Sequence, residues 1–118
     1  MISYVDDRLG RVLQALEQTG LRDNTIIVFT ADHGEMMGER GMWFKQHFFE
    51  WACRVPMMIS FAQRWKPARV SQHVSLMDLV PTLLDAVADK PFDAAVDPFD
   101  GVSLIPALQG QGEQLPDT

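Results

Sequence analysis

Asp32 and His33 are the residues of this 118-residue chain whose types and adjacency could do chemistry together. Asp32-His33-Gly34 comes one residue after the apolar run TIIVFT (25–30), where a buried strand would stop. A carboxylate is a hard oxygen donor and an imidazole a borderline nitrogen donor. Side by side, they can share a divalent cation if further ligands come from elsewhere. Gly34 is expected to let the backbone turn sharply, so that both side chains aim at one centre. The plain alternative is a turn in which Asp32 accepts local N–H groups. On the tripeptide alone, the turn is the stronger reading. Lys45, taken by itself, is an exposed loop lysine.

The other chemically capable residues are weaker candidates. Glu39, Glu50 and Arg54 read as ion-paired loop residues rather than supports for a metal site. His47 reads as a surface residue, and His73 receives no role. The Met and aromatic cluster of Met36, Met37, Met42, Trp43, Phe44, Phe48, Phe49 and Trp51 reads as packing that anchors the long loop. A less favoured use is an aromatic wall for a quaternary ammonium.

These residues need elements to hold them. SYVDDRLGRVLQALEQTG (3–20) has Val5, Leu9, Val12 with Leu13, and Leu16 at helical spacing, with Ser3 and Asp6 as an expected capping box and Gly20 as the stop. LRDN is a turn. TIIVFT lacks polar alternation, which predicts a strand buried on both faces of a parallel sheet. Residues 34–54 form a long excursion, and VPMMISF (55–61) is a second strand. A short extended piece is expected near residues 70–74. SLMDLVPTLLDAVAD follows as a helix, with Ser75 and Asp78 at capping-box spacing and Pro81 predicting a kink or a late start. Beyond Lys90 the chain reads as loop with one short apolar turn, VSLIPAL (102–108). The order α-β-loop-β-α indicates an α/β fold with few strands, mostly parallel, and flanking helices. The expected division is a core piece at 1–90 and a loop-rich tail at 91–118.

The totals remove several function classes. A net charge of −6 argues against nucleic-acid binding, and Arg64, Lys66 and Arg69 read as a solvated connector. No apolar run is long enough to span a membrane. The single cysteine, Cys53, excludes an internal disulfide and reads as a buried small hydrophobe. With no signal-peptide pattern at the N-terminus, a cytoplasmic location is the expectation.

The sequence after Asp32 changes the weight of the tripeptide. Asp32-His33-Gly34, then Gly38-Glu39-Arg40-Gly41-Met42-Trp43, Lys45, Glu50 and Arg54-Val55-Pro56 occur in the order of a signature region of the sulfatase family, in the alkaline-phosphatase-like superfamily. VSLMDLVPTLLDAV and FDGVSLIPALQG also resemble that family downstream, so the likeness covers roughly residues 1–112. Arg40 and the FFEWACRVP stretch look most like the choline-sulfatase branch. The resemblance implies part of an alkaline-phosphatase-like α/β/α sandwich. It implies Asp32 and His33 as ligands of a divalent cation, with calcium first and manganese or magnesium as alternatives. It implies Lys45 as the contact to the sulfate of a small sulfate-ester substrate.

The family's nucleophile is a formylglycine made in a C/S-x-P-x-R motif, which CRVPM around Cys53 does not match. That motif and further metal ligands are expected in a part not in this chain, so the chain reads as the back of a catalytic domain, inactive alone. Exposed sheet edges would favour self-association into a homo-oligomer. Two other readings stay open. One is a phosphoesterase of the same superfamily, with zinc at Asp32 and His33; the other is a degenerate module kept for binding or assembly.

Overall fold

The computed structural model describes residues 1–88 and 99–111. The chain divides into two compact units, Met1–Arg64 and Trp65–Thr118. The division expected at residue 90 falls outside the described residues.

In the first unit, α1 (Ile2–Gln18) puts Leu9, Leu13 and Leu16 on one half-buried stripe, while Val5 and Val12 stay exposed. The expected Ser3–Asp6 box is not formed. The helix begins two residues earlier, with Met1 at the cap position and no side-chain cap. Its far end is as expected. Gly20 takes φ +69°, its N–H donates to Glu17 O, and the Leu21 N–H donates to Leu16 O. These two bonds satisfy the last carbonyls in a Schellman motif.

A 3-10 turn (Arg22–Asn24) leads into β1 (Ile27–Thr30), which pairs with β4 (Met57–Ser60). Between them lie a hairpin of β2 (Met36–Met37) and β3 (Trp43–Phe44) and the single turn α2 (Glu50–Cys53). The α/β class stands, but the expected parallel pairing is corrected. Both strand pairs are antiparallel, β1–β4 in the register Val28↔Ile59 and β2–β3 in the register Met36↔Phe44. The reason lies in the connection. A parallel return needs a crossover of a dozen or more residues, usually a helix. The excursion from Ala31 to Pro56 instead holds a hairpin and one helical turn. All four β1 residues are half-buried.

The second unit has a 3-10 turn (Leu76–Asp78) running into α3 (Leu79–Val87), then α4 (Ile105–Leu108). The Ser75–Asp78 capping box is formed, and the α-helix starts late, so that Pro81 falls in its first turn. Residues 70–74 form no strand. Asp78 does more than cap. One carboxylate oxygen accepts from Ser75 N–H at 2.7 Å and the other from Val102 N–H at 2.9 Å. The Thr82 hydroxyl accepts from Leu104 N–H at 2.8 Å and donates to the Asp78 carbonyl. Gly101 presses on this turn so closely that a Cβ there would lie 2.3 Å from Met77 O. FDGVSLIPAL is thereby fastened to the start of α3 by buried polar groups, each with its partner.

Candidate metal and anion site

The tail of β1 reaches α2 through the main chain. Gly34 N–H donates to Ala52 O at 2.8 Å, and Glu35 N–H donates to Trp51 O at 2.9 Å. A Cβ on Gly34 would sit 2.0 Å from Trp51 O. The expected reason for this glycine is therefore corrected. Its φ is not left-handed, and what requires the missing side chain is the close approach of two backbones.

This docking holds His33 next to it, half-buried, while Asp32 projects outward with its side chain 84% exposed. Asp32 Oδ1 accepts from His33 N–H at 3.0 Å. His33 Nδ1 lies 2.7 Å from Gly34 O, a carbonyl that can only accept, so Nδ1 carries a proton and donates. Lys45 Nζ lies 2.6 Å from Nε2. An ammonium has only donors, so Nε2 is the acceptor and the ring is the neutral Nδ1–H tautomer. Asp32 Oδ2 lies 3.4 Å from the same Nε2. With Nε2 unprotonated, that approach is a carboxylate facing a lone pair rather than an ion pair.

Two electron-rich atoms 3.4 Å apart fit one cation bonded to both, at the roughly 2.0–2.6 Å usual for nitrogen and oxygen ligands. They also form only part of a shell. No cluster of three or more His, Cys, Asp or Glu able to hold a metal exists among the described residues. The Asp-His pair and Lys45 are thus brought together as expected, with the lysine ammonium on the imidazole nitrogen.

The hairpin carries Lys45 to this place. Met36 is 1% exposed and anchors β2. Arg40 and Gly41, with φ of +56° and +70°, take the two left-handed positions of a tight hairpin turn, and Met42 N–H closes it on Glu39 O. The Trp43 indole lies over Gly38, 3.6 Å from where a Cβ would be. The Glu39 carboxylate accepts from Met37 N–H, and this backbone hydrogen bond, then its own N–H, lowers its pKa. Glu39 thus supports the hairpin. Glu50 and Arg54 form an exposed i,i+4 ion pair at 2.9 Å, in line with their reading as ion-paired loop residues.

Three expectations are corrected. Cys53 is exposed rather than buried; it ends α2, and its thiol donates to His47 O at 3.7 Å. His47 is half-buried rather than on the surface, its ring 6.2 Å from that of Phe49 and its carbonyl accepting from that thiol. The Met and aromatic cluster is packed only in part. Met36 is buried, whereas Met37, Trp43, Phe44, Phe48 and Trp51 are all at least 60% exposed. A two-residue strand and a one-turn helix have too little inward face for so many large side chains. Phe44, read from its type only as one member of the packing cluster, has a backbone feature that no sequence signal announces. It takes φ +69° immediately before Lys45, and residue type does not signal that geometry.

The elements that hold the Asp-His-Lys group belong to part of an alkaline-phosphatase-like α/β fold. The Sulfatase family model matches residues 1–89, and the chain belongs to that family. Among curated relatives it is 41% identical to a choline-sulfatase of Rhizobium meliloti over 92% of this chain and 21% of the relative. It is 38% identical to an N-acetylglucosamine-6-O-sulfatase of Bacteroides thetaiotaomicron, over 92% of this chain and 19% of that protein. Among solved structures, the phosphonate monoester hydrolase of Silicibacter pomeroyi superposes with a TM-score of 0.78 at 42% identity, over 91% of this chain and 20% of the other. The chain thus spans about a fifth of the length of the relatives it matches.

Proposed function

We propose that this chain supplies part of the active site of a sulfuric ester hydrolase, with Asp32 and His33 as two ligands of a divalent cation and Lys45 as the contact to the sulfate. The observation that supports it most is the convergence of two side chains on His33 Nε2, with Asp32 Oδ2 at 3.4 Å and Lys45 Nζ at 2.6 Å. The Nδ1–H bond to Gly34 O sets the ring's tautomer and orientation, as an imidazole that ligates a metal requires. The oxygen of Asp32 and the nitrogen of His33 would hold calcium, manganese or magnesium. When bound, the ion would polarise an ester oxygen and neutralise charge. Lys45 can turn from Nε2 to an anionic sulfate oxygen, donating hydrogen bonds where charge grows as the S–O bond breaks. Removing one such donor from a preorganised site lowers kcat by about 10²–10³.

The substrate proposed first is a small sulfate monoester of the choline-sulfate type, in line with the 41% identical relative. A phosphonate monoester is the second reading, favoured by the 42% identical solved structure. On this proposal the 118-residue chain turns over nothing alone, because the nucleophile and the remaining ligands are not among its residues. The test is hydrolysis of choline sulfate, an aryl sulfate and a phosphonate monoester by the longer protein carrying this segment, with Lys45→Ala and Asp32→Ala variants. Sulfate-ester turnover that falls 100-fold or more in both variants supports the proposal. Turnover unchanged in the variants would refute the roles. A preference for the phosphonate would move the substrate to the second reading.

A further inference from the structure

We infer that Phe44 is a positioning residue: its left-handed backbone, rather than its ring, aims Lys45 at His33. The inference deepens the reading of Lys45 given above and rests on it. Phe44 has φ +69°, a conformation that bulky side chains rarely adopt, and it is 68% exposed. Packing of the ring therefore does not hold the backbone there. The other non-glycine residue of this kind, Arg40 at φ +56°, lies within the hairpin turn, where two left-handed residues are required. Phe44 lies at the end of a strand, where no turn type requires it.

What surrounds Phe44 accounts for its conformation. On one side the ladder pairs it with Met36, which is buried. On the other side the chain must reach α2, whose Trp51 and Ala52 carbonyls already hold Glu35 and Gly34. His47 is pinned to Cys53 in between. The five residues from Lys45 to Phe49 thus join two points that are both tied to the Asp32-His33-Gly34 segment. A left-handed residue at the junction bends the chain out of the strand direction, and Lys45 Nζ meets His33 Nε2 at 2.6 Å. Strain of this kind persists only where the surrounding structure over-determines it.

The test uses the 118-residue chain, ¹⁵N-labelled and free of metal, with Phe44 replaced by Gly, Asn, Ala or Val. Gly and Asn accept a left-handed backbone, Ala less readily, and Val least of all. The readout is the hydrogen-bonded Lys45 ammonium signal together with the His33 Nε2 resonance, and the β1–β4 amides serve as the fold control. The expected result is both signals retained in Phe44→Gly and Phe44→Asn, weakened in Phe44→Ala and lost in Phe44→Val with the control unchanged. Loss in the Gly and Asn proteins would assign the role to the ring and overturn the inference. So would signals in Phe44→Ala equal to those in Phe44→Gly, a comparison that stands even if the Val protein does not fold. Because no metal is present, failure here is separate from failure of the metal reading.

Discussion

Asp32 and Asp78 each sit at the edge of a regular element, and their surroundings are opposite. The Asp78 residue is 2% exposed, and both its oxygens accept main-chain N–H groups, one of them from Val102, twenty-four residues on. The Asp32 side chain is 84% exposed, takes one bond from its neighbour's N–H, and faces an unprotonated imidazole nitrogen. A buried, fully bonded carboxylate is part of the fold. An exposed carboxylate beside an imidazole nitrogen that accepts only from Lys45 gains nothing for the fold from that position. The contrast separates a structural acid from one left available for the proposed ligand role, without reference to any relative.

The comparison is broken most forcefully at Asp78. Asp78→Ala leaves two half-buried N–H groups without partners, at about 1–3 kcal/mol each if fully desolvated, so denaturant unfolding should show a loss of about 2 kcal/mol or more. Asp32→Ala should change stability by less than about 0.5 kcal/mol in the same assay. Similar losses in the two variants would remove the distinction.

Next in size is Gly34→Ala, which puts a methyl group into Trp51 O and must part the β1 tail from α2. Overpacking against rigid backbone predicts a loss of about 1–3 kcal/mol. The Lys45–His33 signal should disappear with it, whereas Asp78→Ala in any protein that remains folded should leave that signal in place.

A third test concerns Glu39, whose pKa is lowered by accepting Met37 N–H. A carboxylate with a depressed folded pKa stabilises above its unfolded pKa, and that contribution is lost as pH falls through the folded one. Hydrogen exchange at Met37 should therefore rise, relative to the intrinsic rate, as pH drops below the ordinary carboxylate value of 4.5. Glu39→Gln should remove that pH dependence. The smallest effect is expected at Arg40→Asn. Asn relieves a left-handed strain of about 1–2 kcal/mol. It also forfeits the guanidinium over the Phe49 ring, 4.8 Å from its centroid, worth about 0.5–1 kcal/mol. The net gain is about 0–1.5 kcal/mol, so thermal unfolding should shift upward by roughly 0–6 °C.

The local elements of the fold were legible in the sequence because their signals are local. Helical spacing gave α1 and α3, Gly20 gave the stop, and Ser75 with Asp78 gave the box, all of which form. Strand direction was not legible. An apolar run such as Ile27–Thr30 reads alike in a parallel sheet and in this antiparallel pair. One side-chain reading failed and another was incomplete, for a related reason. Gly34 serves Trp51, and Asp78, besides forming its box, serves Val102, and no local pattern reports a contact seventeen or twenty-four residues away. In the site itself the residue types and the order of motifs led to Asp32, His33 and Lys45. The tautomer of His33 and the backbone of Phe44 come from geometry alone.

The central claim is that Asp32 and His33 form one part of a cation site, and titration of the metal-free 118-residue chain with manganese tests it most directly. Paramagnetic broadening should appear first at the Asp32 and His33 resonances, at millimolar ion, and should vanish there in an Asp32→Ala/His33→Ala protein that keeps its β1–β4 amide pattern. Broadening that spreads over other carboxylates and persists around residues 32–34 in that double variant would contradict the claim.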